Sequence, residues 1–481
     1  MIVRRIPALA LSVTAIGGLV MAGRETATPT AAVFATPAAA WMPSVPAPGG
    51  LTDTWYCPGV PASGDDGVGG EVIVANRDDR VLEARVTVFA EAEDQVTEEL
   101  TVEGRTRAVV DLDELVTAPF VSAMVEIRGG GGVVEQRSVH PDGESVAACA
   151  GATSSTWYLA DGSTVEGNVE EIVLTNPYES TAIVDVRLAT ADVTRQPTEL
   201  QGFPVPARSV RTVDLSEVAR DEEVLGVDVV ASSGRIIVAR AQHDVGGGRR
   251  GHSVALGSPA LRDQWWFANG AKGVDVDERY SLYNPTDDDV EVVPVFLGIA
   301  PSAAAALTAQ PPITVPANEV VTLATGELDA LPDGPYSLVF GTQGPPSIVV
   351  ERALTRTIDD RATTSILLGA PPRADGYVAS TWHVGIGPQE PTTDALVVFN
   401  VDNTAATVEV RSVGPDGSEP VEGLEALSLP AAGRLSIDLT NRAAVGRELI
   451  VRSSSRIFVE RALRREDGSQ GRGASWAVPA E

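Results

Sequence analysis

The chain contains 481 residues, of which 66 are acidic and 36 are basic, so its formal net charge is −30 at pH 7. A chain of this length accommodates about three or four domains, and a hydrophobic content of 43% is sufficient for well-packed cores. The strong negative charge argues against nucleic acids and anionic membrane surfaces as partners, because both would repel it.

The N-terminal segment predicts export from the cytoplasm. Arg4 and Arg5 precede an uncharged, mostly apolar run over residues 6–23, which is the order of parts in an export signal. Residues 1–23 are therefore predicted to be a signal peptide that is cleaved or a helical signal anchor that is retained, and the pattern leaves both open. Residues 24–50 are rich in Ala, Pro and Thr and are predicted to be a spacer. The rest of the chain is expected outside the cytoplasm, either secreted or attached to the membrane only through the N-terminal helix.

Two landmarks then recur along the chain with nearly the same period. The first is a tryptophan close to the start of each unit: Trp55, Trp157, Trp265 and Trp382. The second is an asparagine that ends an apolar run further along the unit: Asn76, Asn176, Asn284 and Asn400. Two independent landmarks with one period predict internal repeats. We place the repeats, called units 1 to 4, at residues 51–151, 152–260, 261–372 and 373–481.

The units are predicted to be all-β. Their apolar runs are short, rich in Val, Ile and Thr, and separated by turn signals such as Asn-Pro and Pro-Asp-Gly. The run "TAIVDVRLAT" at 181–190 alternates between two faces, as a half-buried strand does. Several short strands with this spacing favour four tandem immunoglobulin-like β-sandwiches. A small barrel in each unit is the alternative, and a propeller blade fits less well because the units are too long.

The two cysteines of the chain lie at opposite ends of unit 1. Cys57 follows Trp55 in the first predicted strand, and Cys149 lies in the closing strand. An even number of cysteines in an exported chain indicates a disulfide. We therefore predict a bridge between Cys57 and Cys149.

No pattern in the sequence predicts catalytic, cofactor-binding or metal-binding residues, and no cofactor is expected. The histidines fall in different units or turns: His140, His243, His252 and His383. Their spacing from one another and from cysteines or carboxylates is unlike that of a zinc or iron site. The loop "DVGGGRRG" lacks the Gly-Lys-Ser/Thr ending of a phosphate-binding loop and is interpreted as a flexible hairpin tip.

Two further patterns have a structural interpretation. The acidic runs near residues 275–278 and 287–289 could bind calcium through carboxylate oxygens, but we interpret them as solvated turns. An arginine recurs in the last long strand of each unit: Arg137, Arg240, Arg352 and Arg461. We expect these side chains to pack along their stems and to form structural ion pairs with acids.

The motif Trp157-Tyr158, followed by Gly162-Ser163-Thr164 and Asn176-Pro177, resembles an uncharacterised family of actinobacterial exported envelope proteins, catalogued as a domain of unknown function. The resemblance includes the cysteine pair and extends over most of the chain after the spacer. Units 1 and 4 depart from it, because proline does not follow Asn76 or Asn400. The resemblance implies an envelope location and β-sandwich domains, and it implies no activity.

We expect a non-enzymatic, exported cell-envelope protein that acts as a scaffold or interaction module, with an envelope protein or a cell-wall polymer as its partner. One alternative is a cell-wall glycan-binding protein that uses exposed aromatic side chains such as Trp266, Tyr280 and Tyr336. A second alternative is an accessory subunit of an envelope enzyme. Aligned exposed rings would favour the first alternative, and a deep cleft with a carboxylate of raised pKa would favour the second.

Overall fold

Short β-strands make up most of the chain, which confirms the prediction of an all-β protein. The computed structural model of the protein describes residues 51–91, 93–371, 379–385, 394–414, 416–439, 444, 446–462 and 473–480. The predicted export segment and spacer lie outside these residues. Within the part of the chain that the structure describes, no helix has the length and apolar character needed to cross a membrane.

The strands of unit 1 form two sheets. They are β1 (Thr52–Tyr56), β2 (Val60–Ala62), β3 (Gly69–Asn76), β4 (Leu82–Ala90), β5 (Val96–Val102), β6 (Arg107–Asp111), β7 (Ala118–Arg128), β8 (Gly132–His140) and β9 (Gly143–Ala148), with a short helix α1 (Leu112–Leu115). One sheet has the order β1-β7-β4-β5, with β2 also paired to β7, and the other has the order β6-β3-β8-β9. The neighbouring strands are antiparallel.

Unit 2 repeats this plan. Its strands are β10 (Thr156–Leu159), β11 (Val169–Asn176), β12 (Ala182–Ala189), β13 (Thr194–Arg195), β14 (Phe203–Val205), β15 (Ser209–Asp214), β16 (Gly226–Ser233), β17 (Ile237–Asp244) and β18 (Gly251–Leu256). The sheets have the orders β10-β16-β12-β13, with β14 beside β12, and β15-β11-β17-β18.

Units 3 and 4 follow the same order of pairing. The strands of unit 3 are β19 (Gln264–Lys272), β20 (Val276–Asn284), β21 (Val290–Leu297), β22 (Ile313–Val315), β23 (Glu319–Ala324), β24 (Gly334–Thr342), β25 (Val349–Ile358) and β26 (Arg361–Leu368), and helix α2 (Pro301–Thr308) follows β21. Its sheets have the orders β19-β24-β21-β22 and β23-β20-β25-β26.

In unit 4 the strands join into one larger sheet. They are β27 (Ala379–Val384), β28 (Ala395–Asn400), β29 (Ala406–Gly414), β30 (Gly417–Pro420), β31 (Leu427–Leu429), β32 (Arg434–Asp438), β33 (Leu449–Ala462), β34 (Ala474–Trp476) and β35 (Val478–Ala480). The long strand β33 pairs with β27, β28, β29 and β34, and therefore connects what are separate sheets in the other units.

The repeated tryptophans lie in the cores, where a large ring buries much apolar area. Each is no more than 1% exposed: Trp55, Trp157, Trp265 and Trp382. The indole N–H of Trp157 donates to the backbone oxygen of Ile236, at 3.0 Å, just before β17. The indole N–H of Trp265 makes the matching bond to Ile348, just before β25, and that of Trp382 donates to Ile457, within β33. In units 2 and 3 the first strand is thereby attached to the opposite sheet of the same unit.

The repeated asparagines hold the turn that follows the first long strand of each unit. The side-chain amide of Asn176 donates to three backbone oxygens at 2.8 to 3.0 Å, and its Oδ1 accepts the amide of Tyr178 at 3.0 Å. Equivalent donations occur at Asn76, Asn284 and Asn400. One buried side chain thus satisfies several backbone groups that the turn leaves without strand partners.

The four units close on one another. The last hairpin strands are in contact in cyclic order, β9 with β18, β18 with β26, β26 with β34, and β34 with β9. A mostly apolar cavity of about 50 Å³ lies between these strands, far below the roughly 300 Å³ of a small ligand site. Unit 4 therefore contacts unit 1 as well as unit 3, and the units do not simply follow one another in a line.

Candidate functional site

The junction between units 2 and 3 contains a buried ion pair. Arg240 on β17 donates two hydrogen bonds of 3.1 Å to the carboxylate of Glu351 on β25. The backbone amides of Ala160 and Asp161, just after the tryptophan strand, each donate to the same carboxylate at 2.6 Å. Both charged side chains are no more than 1% exposed. A charge buried this completely is tolerated because it is paired and hydrogen-bonded.

The next two junctions repeat this arrangement. Between units 3 and 4, Arg352 lies 2.6 Å from Glu460, whose carboxylate also accepts the amide of Asn269. Between units 4 and 1, Arg461 lies 2.7 Å from Glu135. The interpretation of these arginines as structural ion-pair partners therefore agrees with the contacts, and each pair crosses from one unit to the next.

The prediction that Arg137 is the unit 1 equivalent of these inter-unit arginines is wrong by one residue. Arg240 pairs in register with Ile172, which lies four positions before Asn176. The corresponding residue of unit 1 is Val72, and its partner on β8 is Gln136. Arg137 instead forms ion pairs inside unit 1, with Glu71 and Glu144. A one-residue offset in a strand moves a side chain to the opposite face, so alignment by the arginine alone misplaced it.

The junction between units 1 and 2 consequently lacks both the arginine and the glutamate of the inter-unit ion pair. Gln136 occupies the arginine position, and Ala239 occupies the position of the glutamate in the next unit. Among the described residues, the side-chain amide of Gln136 has no hydrogen-bond partner. The nearby contacts are largely apolar, with Val173 and Val254 of unit 2 packed into the core of unit 1.

The loop "DVGGGRRG" is the tip of the β17–β18 hairpin, as the sequence suggested, but both of its arginines are anchored by contacts outside the loop. Arg249 is 9% exposed and forms two hydrogen bonds with Asp161, at 2.8 and 3.1 Å. The amide of Arg250 donates to Thr364 of unit 3 at 3.0 Å. Burial alone would raise the pKa of Asp161, but the paired Arg249 guanidinium lowers it. The ion pair between Arg249 and Asp161 holds the loop in place, although its glycines would by themselves allow it to move.

Two buried glutamates have raised pKa values. Burial raises the pKa of Glu170 to about 8, against the opposing effect of Arg240. Burial likewise raises the pKa of Glu278 to about 7, against Arg352, and this carboxylate accepts a hydrogen bond from Tyr336. Glu278 is 1% exposed, so it does not belong to a solvated turn as the sequence suggested.

Three of the four histidines meet at the junction between units 1 and 2, although their spacing predicted no cluster. The ring centroid of His140 lies 4.7 Å from that of His243 and 4.8 Å from that of His252. Asp142, in the turn after β8, lies 2.8 Å from Nε2 of His243. Burial lowers the pKa of His252 to about 3 and also lowers the pKa of His140. His383 lies elsewhere, between Arg77 and Glu448 at the junction of units 4 and 1.

One signal for this cluster was present in the sequence. His243 and His252 flank the glycine-rich loop and are directly opposite each other in the β17–β18 hairpin. Pairing the two strands by their turn would have joined these two rings. Nothing in the spacing indicated that His140 and Asp142, from the preceding unit, would contact them.

The remaining candidate residues occupy different places. Cys57 and Cys149 form a disulfide with Cα atoms 4.1 Å apart. Two of the three aromatics suggested for glycan binding are fully buried and the third, Trp266, is only partly exposed, which corrects that expectation. Tyr280 and Tyr336 are 0% exposed, and the ring of Trp266 packs against Phe399 and Phe458 of unit 4.

Residues 134–251 match a family of unknown function, DUF5719. This match supports the resemblance to an uncharacterised family over a shorter segment, which begins in β8 and ends at β18. No curated protein matches the chain.

Three solved structures have weak similarity to the chain. "Thermotoga maritima 1070" is 15% identical, with coverage of 23% of this chain and 96% of that one and a TM-score of 0.19. An α-L-rhamnosidase of Streptomyces avermitilis, complexed with L-rhamnose, is 10% identical, with coverage of 80% and 54% and a TM-score of 0.12. A glycoside hydrolase family 32 protein of Bifidobacterium adolescentis is 10% identical, with coverage of 89% and 96% and a TM-score of 0.14. TM-scores this low carry no argument about fold or activity.

Proposed function

We propose that the protein is a non-enzymatic, exported cell-envelope scaffold or interaction module, built of four immunoglobulin-like sandwiches. The observation that carries the proposal is the set of buried ion pairs, each of which joins one unit to the next. Sliding one unit past another would leave a buried charge without its partner, at a cost of several kcal/mol, about 3 to 5. The units and the loops at their ends therefore keep fixed relative positions.

Fixed loops suit a protein that presents several contacts to one extended partner. Loops held by a rigid sheet scaffold are common binding surfaces, and we expect the partner to be an envelope protein or a cell-wall polymer. The buried arginines and their glutamate partners hold the units together, so these charges serve structure and not catalysis. Export is supported by the apolar segment after Arg4 and Arg5 and by the Cys57–Cys149 disulfide, since disulfides persist in oxidising compartments.

The test is made in cells that express the full chain with a C-terminal tag. Cells are fractionated, treated with a cross-linker, and the cross-linked partners are identified by mass spectrometry. The matched control lacks residues 2–23 and is expected to stay in the cytoplasm. Thiol alkylation without reductant is expected to leave Cys57 and Cys149 unmodified in the full chain and to label them in the control.

The proposal predicts that the full chain is recovered with the cell envelope or outside the cell, cross-linked to the same envelope component in repeated experiments. Recovery in the cytoplasm with reactive thiols would overturn the export step. An envelope location without any reproducible cross-linked component would overturn the scaffold role.

A further inference from the structure

The junction between units 1 and 2 differs from the other three junctions in what holds it. The ion pair that crosses each of the others is replaced here by Gln136 and Ala239, neither of which carries a charge. The histidine cluster lies at this same junction. His140 and Asp142 come from unit 1, and His243 comes from unit 2. An ion bound by these side chains would connect the two units.

The donor atoms are already close together. Oδ2 of Asp142 lies 2.8 Å from Nε2 of His243 and 3.7 Å from Nδ1 of His140. One ligand atom from each of the three residues can be chosen so that all lie within 4.8 Å of one another. A tetrahedral zinc ion with bonds near 2.0 to 2.2 Å holds neighbouring ligands about 3.4 Å apart. Small side-chain rotations would therefore complete the geometry.

The surroundings also suit a metal. The backbone amide of Asp142 donates to Nδ1 of His140 at 3.1 Å, which selects the tautomer with an unprotonated Nδ1. A metal ion would replace this amide bond. His252 stacks on His140 with an interplanar angle of 24°, and its Nε2 is hydrogen-bonded to Ser138 at 3.2 Å. This stacking holds the His140 ring in place, as outer residues do at metal sites.

The three side chains are reachable from solvent. The side chain of His140 is 18% exposed, that of His243 is 33% exposed and that of Asp142 is 44% exposed. An ion could enter, and water could supply a fourth ligand. Imidazole with carboxylate favours zinc-type ions over calcium or magnesium, which prefer oxygen ligands alone.

We propose that His140, Asp142 and His243 bind a zinc-type divalent transition-metal ion that fastens unit 1 to unit 2 where the inter-unit ion pair is missing. Within the described residues, this is the group of histidine, cysteine and acidic side chains whose spacing permits a metal ion. The proposed site goes beyond the scaffold role, because that role does not require a metal ion at the junction between units 1 and 2.

The test uses the full chain, freed of metal by chelation and dialysis. Zn²⁺ binding is measured by isothermal titration calorimetry and by metal content after dialysis, with Ca²⁺ as the comparison ion. The variants are His140→Ala, Asp142→Asn and His243→Gln, and the matched control is His383→Gln, which removes a histidine outside the cluster. Circular dichroism of each metal-free variant checks folding, and Asp142→Asn is the mildest change because this side chain is the most exposed of the three.

The proposal predicts one Zn²⁺ per chain for the wild type and for His383→Gln. Each cluster variant should lose more affinity than the 10- to 100-fold that loss of an outer residue costs. Co²⁺ in place of Zn²⁺ should give visible absorption bands in the wild type and not in the cluster variants. Zn²⁺ should also slow hydrogen exchange in β8, β9, β17 and β18 of the wild type and of His383→Gln, and not in the cluster variants.

Three results would overturn the proposal. They are the absence of stoichiometric Zn²⁺ binding, binding that survives in all three folded cluster variants, and binding that the control variant loses equally. Binding without any change in hydrogen exchange at the junction would overturn the fastening role. None of these results bears on cellular location or cross-linked partners, so the scaffold proposal would stand or fall separately.

Discussion

Removal of the carboxylate of Glu351 should destabilise the junction between units 2 and 3 more than any surface change. Its carboxylate accepts two bonds from Arg240 and two from backbone amides, and it is fully buried. Breaking a buried pair costs about 3 to 5 kcal/mol, because the remaining charge is left without compensation. Glu351→Ala also leaves two buried amides without an acceptor, so we expect the upper part of this range, about 5 kcal/mol.

The partner substitution should cost less. In Arg240→Met, the carboxylate of Glu351 retains its two amide donors, so we expect about 3 kcal/mol, the lower part of the range. The double variant Arg240→Met/Glu351→Leu should lose much less than the sum of the single losses, because no unpaired charge remains. Unit 1 and unit 2 already provide a natural example, since Gln136 and Ala239 replace both partners there.

The assay is urea denaturation followed by tryptophan fluorescence, with the disulfide intact. The matched control is Glu99→Ala, which removes an exposed partner of Arg85 and should cost less than about 1 kcal/mol. If Glu351→Ala lost no more than this control at an unchanged m-value, the ion pair would not hold the junction. A double variant as unstable as the sum of the singles would equally contradict the reasoning, because it would show no coupling.

Three further outcomes are expected. Replacing Cys57 and Cys149 with alanine opens a loop with a sequence separation of 92 residues. The unfolding free energy should therefore fall by about 4.5 kcal/mol. An unchanged melting temperature in calorimetry would contradict this. Asn176→Ala removes the bonds that hold its turn and should cost about 2 to 4 kcal/mol in urea denaturation, whereas a loss below 1 kcal/mol, about that of one bond, would show that water replaces them. Burial raises the pKa of Glu170 from its ordinary value of 4.5 to about 8. The folded state therefore holds this proton more tightly, and stability should decline as pH rises from about 4.5 to 8. Glu170→Gln should flatten that decline in thermal melts at several pH values, and an unchanged slope would assign it to other groups.

Much of the fold follows from local patterns in the sequence. The alternation in "TAIVDVRLAT" corresponds to β12 and the recurring tryptophans correspond to core positions, because both depend on which face of one strand is buried. The repeated asparagines were recognisable in the sequence only as a recurring residue. The structure gives the reason for the recurrence, because each side chain forms hydrogen bonds with backbone groups of its turn. The cysteine pair was predictable because a chain with two cysteines offers one intramolecular pairing.

The register of the recurring arginines shows what local sequence patterns do not predict. Arg137 matches the other units in composition, yet Gln136 has the equivalent position, because register depends on pairing between strands and not on residue type. The three aromatics proposed for glycan binding show the same limit, since Tyr280 and Tyr336 are polar at one end and still fully buried. Residue type alone does not determine which side of a sheet packs against a neighbouring unit.

By itself the sequence determined the repeats, the all-β character and the disulfide, because strand periodicity and turn residues act within a few positions of one another. The cyclic contacts between units, the Arg–Glu pairs that cross them, and the meeting of His140, Asp142 and His243 were decided only by the tertiary structure. His140 and His243 lie in different units and come together because β9 packs against β18. That packing depends on the shapes of two completed sandwiches, and no local pattern along one strand encodes it.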